Sequence, residues 1–350
     1  MIVLKLLLRK TAAARSGPLD ALAAIKRLVL AVGIVASLAG PLASCSAAPL
    51  KPPLTFVQNI QLPRDTTTPS IDLLALDPRS GRLYVPHGSN SALDIVDVKS
   101  DRWLGSVPQL PGIKGVAVTA DPDLVFTSNS GGTVSVVDAR TLTVVKTIRV
   151  GGSPDAIDYD PVHDSVVVSL GSARAVAFID RTTYTELGRV TLPGKPELMA
   201  VDRQAGRVFL GIHDQDEVVV IDGGSLAVTL TYHGCDIKAP TGLAYDPAQG
   251  RLFVAGTKQL NILDIVVGRC LGVVDLASGT DQIVFNEHTQ HVYTANAASR
   301  NVSIVDSPTM KPLGIVGTGR DAGTIATDPT TDRVYVAVAL AGIIAVYHDP

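Results

Sequence analysis

In the stretch "HVYTANAASRNVSIVD" (residues 291–306), one alternating run, a small polar loop and a second alternating run end in two apolar residues and an aspartate. Alternation with a period of two is the pattern of a half-buried strand. The same ending recurs: "IVD" at Asp97, "VVD" at Asp138, "FID" at Asp180, "VID" at Asp222, "ILD" at Asp264 and "IVD" at Asp306. The intervals are 41 residues once and 42 four times, and one more step of 42 lands on His348 in "AVYH". A second marker keeps the same register: "LDP" (76–78), "ADP" (120–122), "YDP" (159–161), "YDP" (245–247) and "TDP" (327–329), with "VDR" (201–203) and "FNE" (285–287) as the two variant copies.

Each unit reads alike. A small-residue turn enters an apolar strand ending near Asp-Pro, and a polar turn leads to a second strand such as "RLFVAG" or "RVYVAV". A Gly/Asn/Ser loop then leads to a third strand ending in the marker aspartate, and a last turn to a fourth. Four strands in about 42 residues, repeated radially, make a propeller blade. The fold expected is all-β: a seven-bladed β-propeller over residues 54–350, with four antiparallel strands per blade. The marker aspartates suit Asx-type turns between third and fourth strands, and the Asp-Pro pairs punctuate the first turn. Neither set is a candidate for catalysis.

The final unit stops after its third strand, "GIIAVYH" (342–348), so a fourth is owed. "TFVQNIQLP" (55–63) has no first three strands of its own. It is expected to pair with the C-terminal strand, closing the ring and removing two free sheet edges.

"VYTAN" (292–296) followed by "NVSIVD" (301–306), and "LVFTSN" (124–129) followed by "TVSVVD" (133–138), resemble the YVTN β-propeller repeat family, the YncE-like propellers. The resemblance covers roughly residues 55–350. It implies seven blades and little chemistry, because the family is functionally mixed.

The N-terminus has a different character. Residues 1–27 carry Lys5, Arg9, Lys10, Arg15, Lys26 and Arg27 against Asp20, and an apolar run follows at 28–43. That is the layout of a secretory signal. "LASC" (42–45) resembles the bacterial lipobox, in which cleavage precedes a lipidated cysteine, here Cys45. The chain is thus divided into a signal peptide with lipobox (1–44), a tether (45–53) and the propeller (54–350). The expected address is the cell envelope, periplasm or outer membrane, with the chain held to its membrane by the lipid anchor. Removal of residues 1–44 takes six cations and one anion, moving the formal charge from −3 to −8. An acidic domain is a poor nucleic-acid binder, so no nucleic-acid partner is expected. The expected state is a monomer.

Cys235 and Cys270 are the other cysteines. The repeat map puts Cys235 after one fourth strand and Cys270 at the start of the next. Opposite ends of strands roughly 20 Å long are too far apart for a disulfide, so two free thiols are expected.

Two loop sets should converge at one mouth of the central channel. Five residues before each Asp-Pro marker stand Asp72, Asp155, Glu197, Thr241, Asp281 and Gly323, with Gly115 beside Lys114 in the second blade. Four carboxylates on one axis would raise one another's pKa or recruit a cation. No cofactor is required, and Ca²⁺ or Mg²⁺, held by Asp155 and Glu197, is the divalent ion that such oxygen ligands would take. A hydrated acidic vestibule with no ion is the alternative. The loops between second and third strands add His87, Asn90, Ser128, Asn129, His213, Asp214, Asp216, Lys258, Asn296 and Arg300. His87 or His213 would supply acid–base chemistry if any is done there. His163, His288 and His291 read as structural.

There is no C-x-x-C-H, G-x-S-x-G, H-E-x-x-H or P-loop in the chain. Three functions compete. The first is a binding or scaffold module that presents its mouth to a protein or small-molecule ligand. The second is a metal-dependent enzyme resembling streptogramin-lyase or lactonase-like propellers. The third is an accessory to periplasmic redox systems.

Overall fold

A computed structural model describes residues 52–350, and the signal, the lipobox at Cys45 and most of the tether lie outside the described residues. Among the described residues the chain forms seven four-stranded antiparallel sheets. Six are built from consecutive strands in simple meander order. The seventh takes Thr324–Asp328, Arg333–Val338 and Ile343–His348 from the C-terminus and Thr55–Gln61 from the other end of the domain. In that seam Thr55 pairs with His348 and Gln61 with Ile343, with a bulge at Val57. The ring is therefore closed by the strand that the unfinished repeat requires.

The marker aspartates cap their turns. Asp138 accepts backbone N–H bonds from Arg140 and Thr141 at 2.8 Å, and Asp180 and Asp264 do the same one and three blades further on. These donors hold the Asp138 and Asp180 carboxyls below the usual carboxylate range. The Asp-Pro residues repeat the device at the first turn: Asp77, Asp160, Asp246 and Asp328 each accept the N–H two residues on. Asn286 keeps that bond to His288 N at 2.8 Å without a charge.

The cores lie between blades. Alternate residues of each middle strand face opposite neighbours, and Tyr84, Phe126, Phe178, Phe209, Phe253, Tyr293 and Tyr335 fill the spaces, all fully buried. At the seam, Ile60 and Leu62 of the closing segment pack with Leu83 and Val96 of the first blade and Tyr335 and Ile344 of the last. Leu54 packs on the other side, with Tyr293, Val336 and Tyr347.

The expectation of two free thiols is wrong: Cys235 and Cys270 form a disulfide, with Cα atoms 5.1 Å apart. The connector after Ala227–Tyr232 does not stay at the end of its strand. Cys235 and Asp236 take left-handed backbone conformations, φ 52° and 56°, and Ile237 is buried in the groove between the fourth and fifth blades. Asn261 Nδ2 donates to Cys235 O and Gln259 Nε2 to Asp236 O, which lays the loop across the fifth blade. The strand Arg269–Asp275 bulges at Leu271, between the pairs Leu263–Cys270 and Ile262–Gly272. Straight strands, as assumed from the repeat map, would have kept the two sulfurs apart.

Candidate functional site

The first strands line the channel and begin at one face, the mouth. Their entry residues form the ring counted from the sequence. Lys114 Nζ lies 2.7 Å from Asp72 Oδ2, and Lys195 is paired with Glu197. Among the described residues Asp155 and Asp281 are in no ion pair, and Asp281 is open to the mouth. The four carboxylates sense one another. Burial raises Asp155, and Asp72 and Glu197 add to it. Burial also raises Asp72, outweighing Lys114. The Asp281 carboxyl is pushed up to about 7 by crowding against protein and by the negative charges of Asp72, Asp155 and Glu197. Water in the mouth screens part of that repulsion. Lys114 is held above its usual range, because Asp72, Asp155 and Asp281 outweigh its own desolvation.

Backbone bonds between blades hold this ring rigid. Leu73 N donates to Lys114 O at 3.0 Å, and Gln282 N donates to Gly323 O at 3.1 Å. Ser128 Oγ donates to Asp155 O, and Thr241 Oγ1 donates to Thr280 O at 3.0 Å. Ser128 and Thr241 thus brace neighbouring carboxylate-bearing strands from within the wall. The approach is tight enough that a Cβ at Gly242 would collide with the Asp281 carbonyl oxygen.

Below the ring the channel continues between the first strands, with aliphatic side chains beside Asp158, Arg203 and Gln282. A cavity of about 330 Å³ is lined by Leu73, Val116, Ile157, Leu198, Met199 and Ile283 among others, with every blade contributing. Gln282 reaches through this layer. Its Nε2 donates to Leu74 O at 2.9 Å, while its Oε1 accepts from Leu74 N and Ile325 N at 3.2 and 3.0 Å. The sixth blade thereby clamps the first strands on both sides of the seam, where the first blade's inner strand is only Ala75–Asp77.

The second loop set is brought together only in part. His87, Asn129 and Asn296 are fully or almost fully buried and do not face the mouth. They stand at one repeat position, the end of the second strand, and cross-link to the third. Asn129 Nδ2 donates to Ser135 Oγ and Asn296 Nδ2 to Ser303 Oγ, both at 3.0 Å. His87 Nδ1 lies 2.6 Å from Asp94 Oδ2, with Nε2 2.9 Å from Asp65 Oδ1. Their place at the end of the second strand puts these residues at a loop edge, but their side chains turn back into the blade, where the third strand supplies a partner. Asn90 joins the same corner, accepting from Thr66 N at 2.9 Å.

His213, Asp214 and Asp216 do lie at the mouth face, and their work there is to hold loops. Asp214 Oδ1 accepts from Lys195 N at 2.7 Å, and Asp216 accepts from Ala239 N at 2.8 Å while pairing with Lys238. His213 Nδ1 is 3.4 Å from Pro240 O. Lys258 and Arg300 are exposed at left-handed turn positions. His163, His288 and His291 pair with Asp160, Asp332 and Asp349, each at 2.7 Å.

Lys195, Gln282, Asp65 and Asp94 are the site and seam residues that counting one position per blade passes over. Lys195 had a signal: it stands two residues before Glu197, on the same side of an extended chain. Among the described residues no three His, Cys, Asp or Glu side chains converge to hold a metal ion.

No family model matches the chain. Its fold is similar to that of a chain of Kuenenia stuttgartiensis hydrazine synthase, with a TM-score of 0.74, covering 81% of this chain and 96% of that one at 16% identity. That likeness shows the fold alone. A second similarity is to antigen Lp49 of Leptospira interrogans, 23% identical over 163 residues, which is 40% of this chain and 36% of the antigen. The chain thus matches little more than a third of that protein.

Proposed function

We propose that this chain is a lipid-anchored, extracytoplasmic binding module of the YVTN-repeat kind, whose channel mouth receives a cationic group, such as a lysine or amino terminus of a peptide or partner protein. The observation that carries the reading is the pair Asp155 and Asp281. Two of the four ring carboxylates are paired directly with Lys114 and Lys195, while these two, among the described residues, touch no cation and feel those lysines only through space. An ammonium group placed there would satisfy both and relieve their mutual repulsion. The lysines already present weigh against a bare divalent site, since they occupy two of the four carboxylates such an ion would use. The Cys235–Cys270 disulfide supports an oxidising compartment, as does the partial match to a protein described as an antigen.

The test is a calorimetric titration with trilysine, with Ca²⁺ and Mg²⁺ as competitors. The expected result is binding that weakens with salt and as pH falls below 7, and that drops about tenfold or more in Asp155→Asn and Asp281→Asn. Trilysine binding unchanged in both variants would overturn the reading. Tight Ca²⁺ or Mg²⁺ binding that excludes the peptide would favour the metal-dependent enzyme instead.

A further inference from the structure

Among the described residues, the only phenylalanine and tryptophan side chains that are exposed are Phe56 and Trp103, 57% and 44% accessible. They sit on neighbouring outer strands on either side of the seam, the closing strand Thr55–Gln61 and the first blade's Arg102–Val107. Each has an exposed apolar companion at a bulge, Val57 and Leu104. The closing strand is tied to the turn that enters Arg102–Val107, Gln58 Nε2 donating to Asp101 Oδ2 at 2.5 Å. All four side chains lie toward the marker-aspartate ends of their blades, away from the mouth.

The chain enters the domain at this same edge. Pro52 packs on Gly314 of the sixth blade's outer strand, and Leu54 is buried between the sixth and seventh blades. Cys45 stands seven positions before Pro52, a reach of at most about 25 Å when fully extended. A lipid on Cys45 would therefore keep Pro52, and the blade edge it lies on, within about 25 Å of the bilayer. Exposed cations flank the patch, Lys99 and Arg102 beside Trp103, and Lys311 on the sixth blade. The acids among them are engaged: Asp97 caps its turn through Lys99 N at 2.8 Å, and Asp101 pairs with Arg333 at 2.6 Å. Aromatic rings and cations side by side suit the headgroup layer of a bilayer with anionic lipid.

We propose that Phe56, Val57, Trp103 and Leu104 form a surface that inserts into the lipid headgroup region, so that the propeller lies on its membrane by the seam edge. This rests on the reading that Cys45 is lipidated. Docked so, the ring would stand with its mouth turned away from the bilayer and open to a partner.

Trp103 is the only tryptophan of the chain, so tryptophan emission, excited selectively at its long-wavelength edge, reports on this surface alone. The full chain, purified from a host that processes lipoproteins, is mixed with phosphatidylcholine–phosphatidylglycerol vesicles, with and without brominated lipid. The expected result is co-sedimentation with the vesicles, a shift of Trp103 emission to shorter wavelength and strong quenching by bromine near the headgroup. Phe56→Ser with Leu104→Ser should lose most of the quenching while still sedimenting and melting as the parent does. Sedimentation with Trp103 unshifted and unquenched would overturn the surface and leave the anchor standing. Failure to sediment would overturn the anchor, and the surface with it. A shift that depends on protein concentration without lipid would assign the patch to a second copy of the chain and overturn the proposal.

Discussion

His87 is wholly buried between two carboxylates, one from its own blade and one from the connector that follows the closing strand. Burial alone would lower its pKa; the hydrogen bonds to Asp94 and Asp65 outweigh that and hold it above its usual 6.5. A histidine raised on folding stabilises the native state most below its unfolded pKa, and the contribution fades as pH climbs through the folded value. His87→Ala should therefore cost about 3–5 kcal/mol in urea unfolding at pH 6, and less at pH 9. An equal loss at both pH values would mean that the imidazole is uncharged. Asp281 sends stability the same way by a different route. Its carboxyl, raised from 3.8 to about 7, binds its proton more tightly folded than unfolded, so stability should fall as pH rises across that interval. Asp281→Asn should flatten the fall in melting temperature between pH 5 and 8; an unchanged slope would place the effect elsewhere. At this scale the sequence exposes Asp281, because one position per blade can be counted. It hides the role of Asn129 and Asn296, because a period of two tells which face a residue takes but not which strand supplies its partner.

The closing strand is legible as an element, since a repeat that ends one strand short and a strand with no blade require each other. Deleting residues 54–63 would remove Ile60 and Leu62 from one interblade core and Leu54 from another. The domain should then lose its cooperative melting as a whole; an unchanged melting curve would refute closure by this strand. The Cys235–Cys270 connector shows where such reasoning stops. Its course depends on left-handed residues, a bulge and the groove between two blades, none of which has a period. The disulfide closes a sequence separation of 35 residues, and its reduction should lower stability by about 2–4 kcal/mol, read as a shift in the urea midpoint with dithiothreitol. Gln282 is a similar case: its hydrogen bonds reach the first and seventh blades, and Gln282→Leu should cost about 1–3 kcal/mol by leaving backbone groups at the seam unpaired.

For the whole molecule, radial repetition does two things at once. It buries every middle strand between neighbours, and it carries one side chain from each blade to a common axis. The fold is readable from the sequence for the first reason. The ring of carboxylates is readable for the second, and so is Lys114 beside it, but which carboxylates Lys114 and Lys195 pair with is not, because both lysines stand outside the counted position. What distinguishes this propeller from a neutral scaffold is the charge left over at its mouth. The most direct measurement is a carbon-13 NMR titration of the Asp281 carboxyl, with and without trilysine. The account predicts a midpoint near 7 in the free protein and a clearly lower one with the peptide bound. A midpoint in the ordinary carboxylate range, unmoved by the peptide, would contradict it.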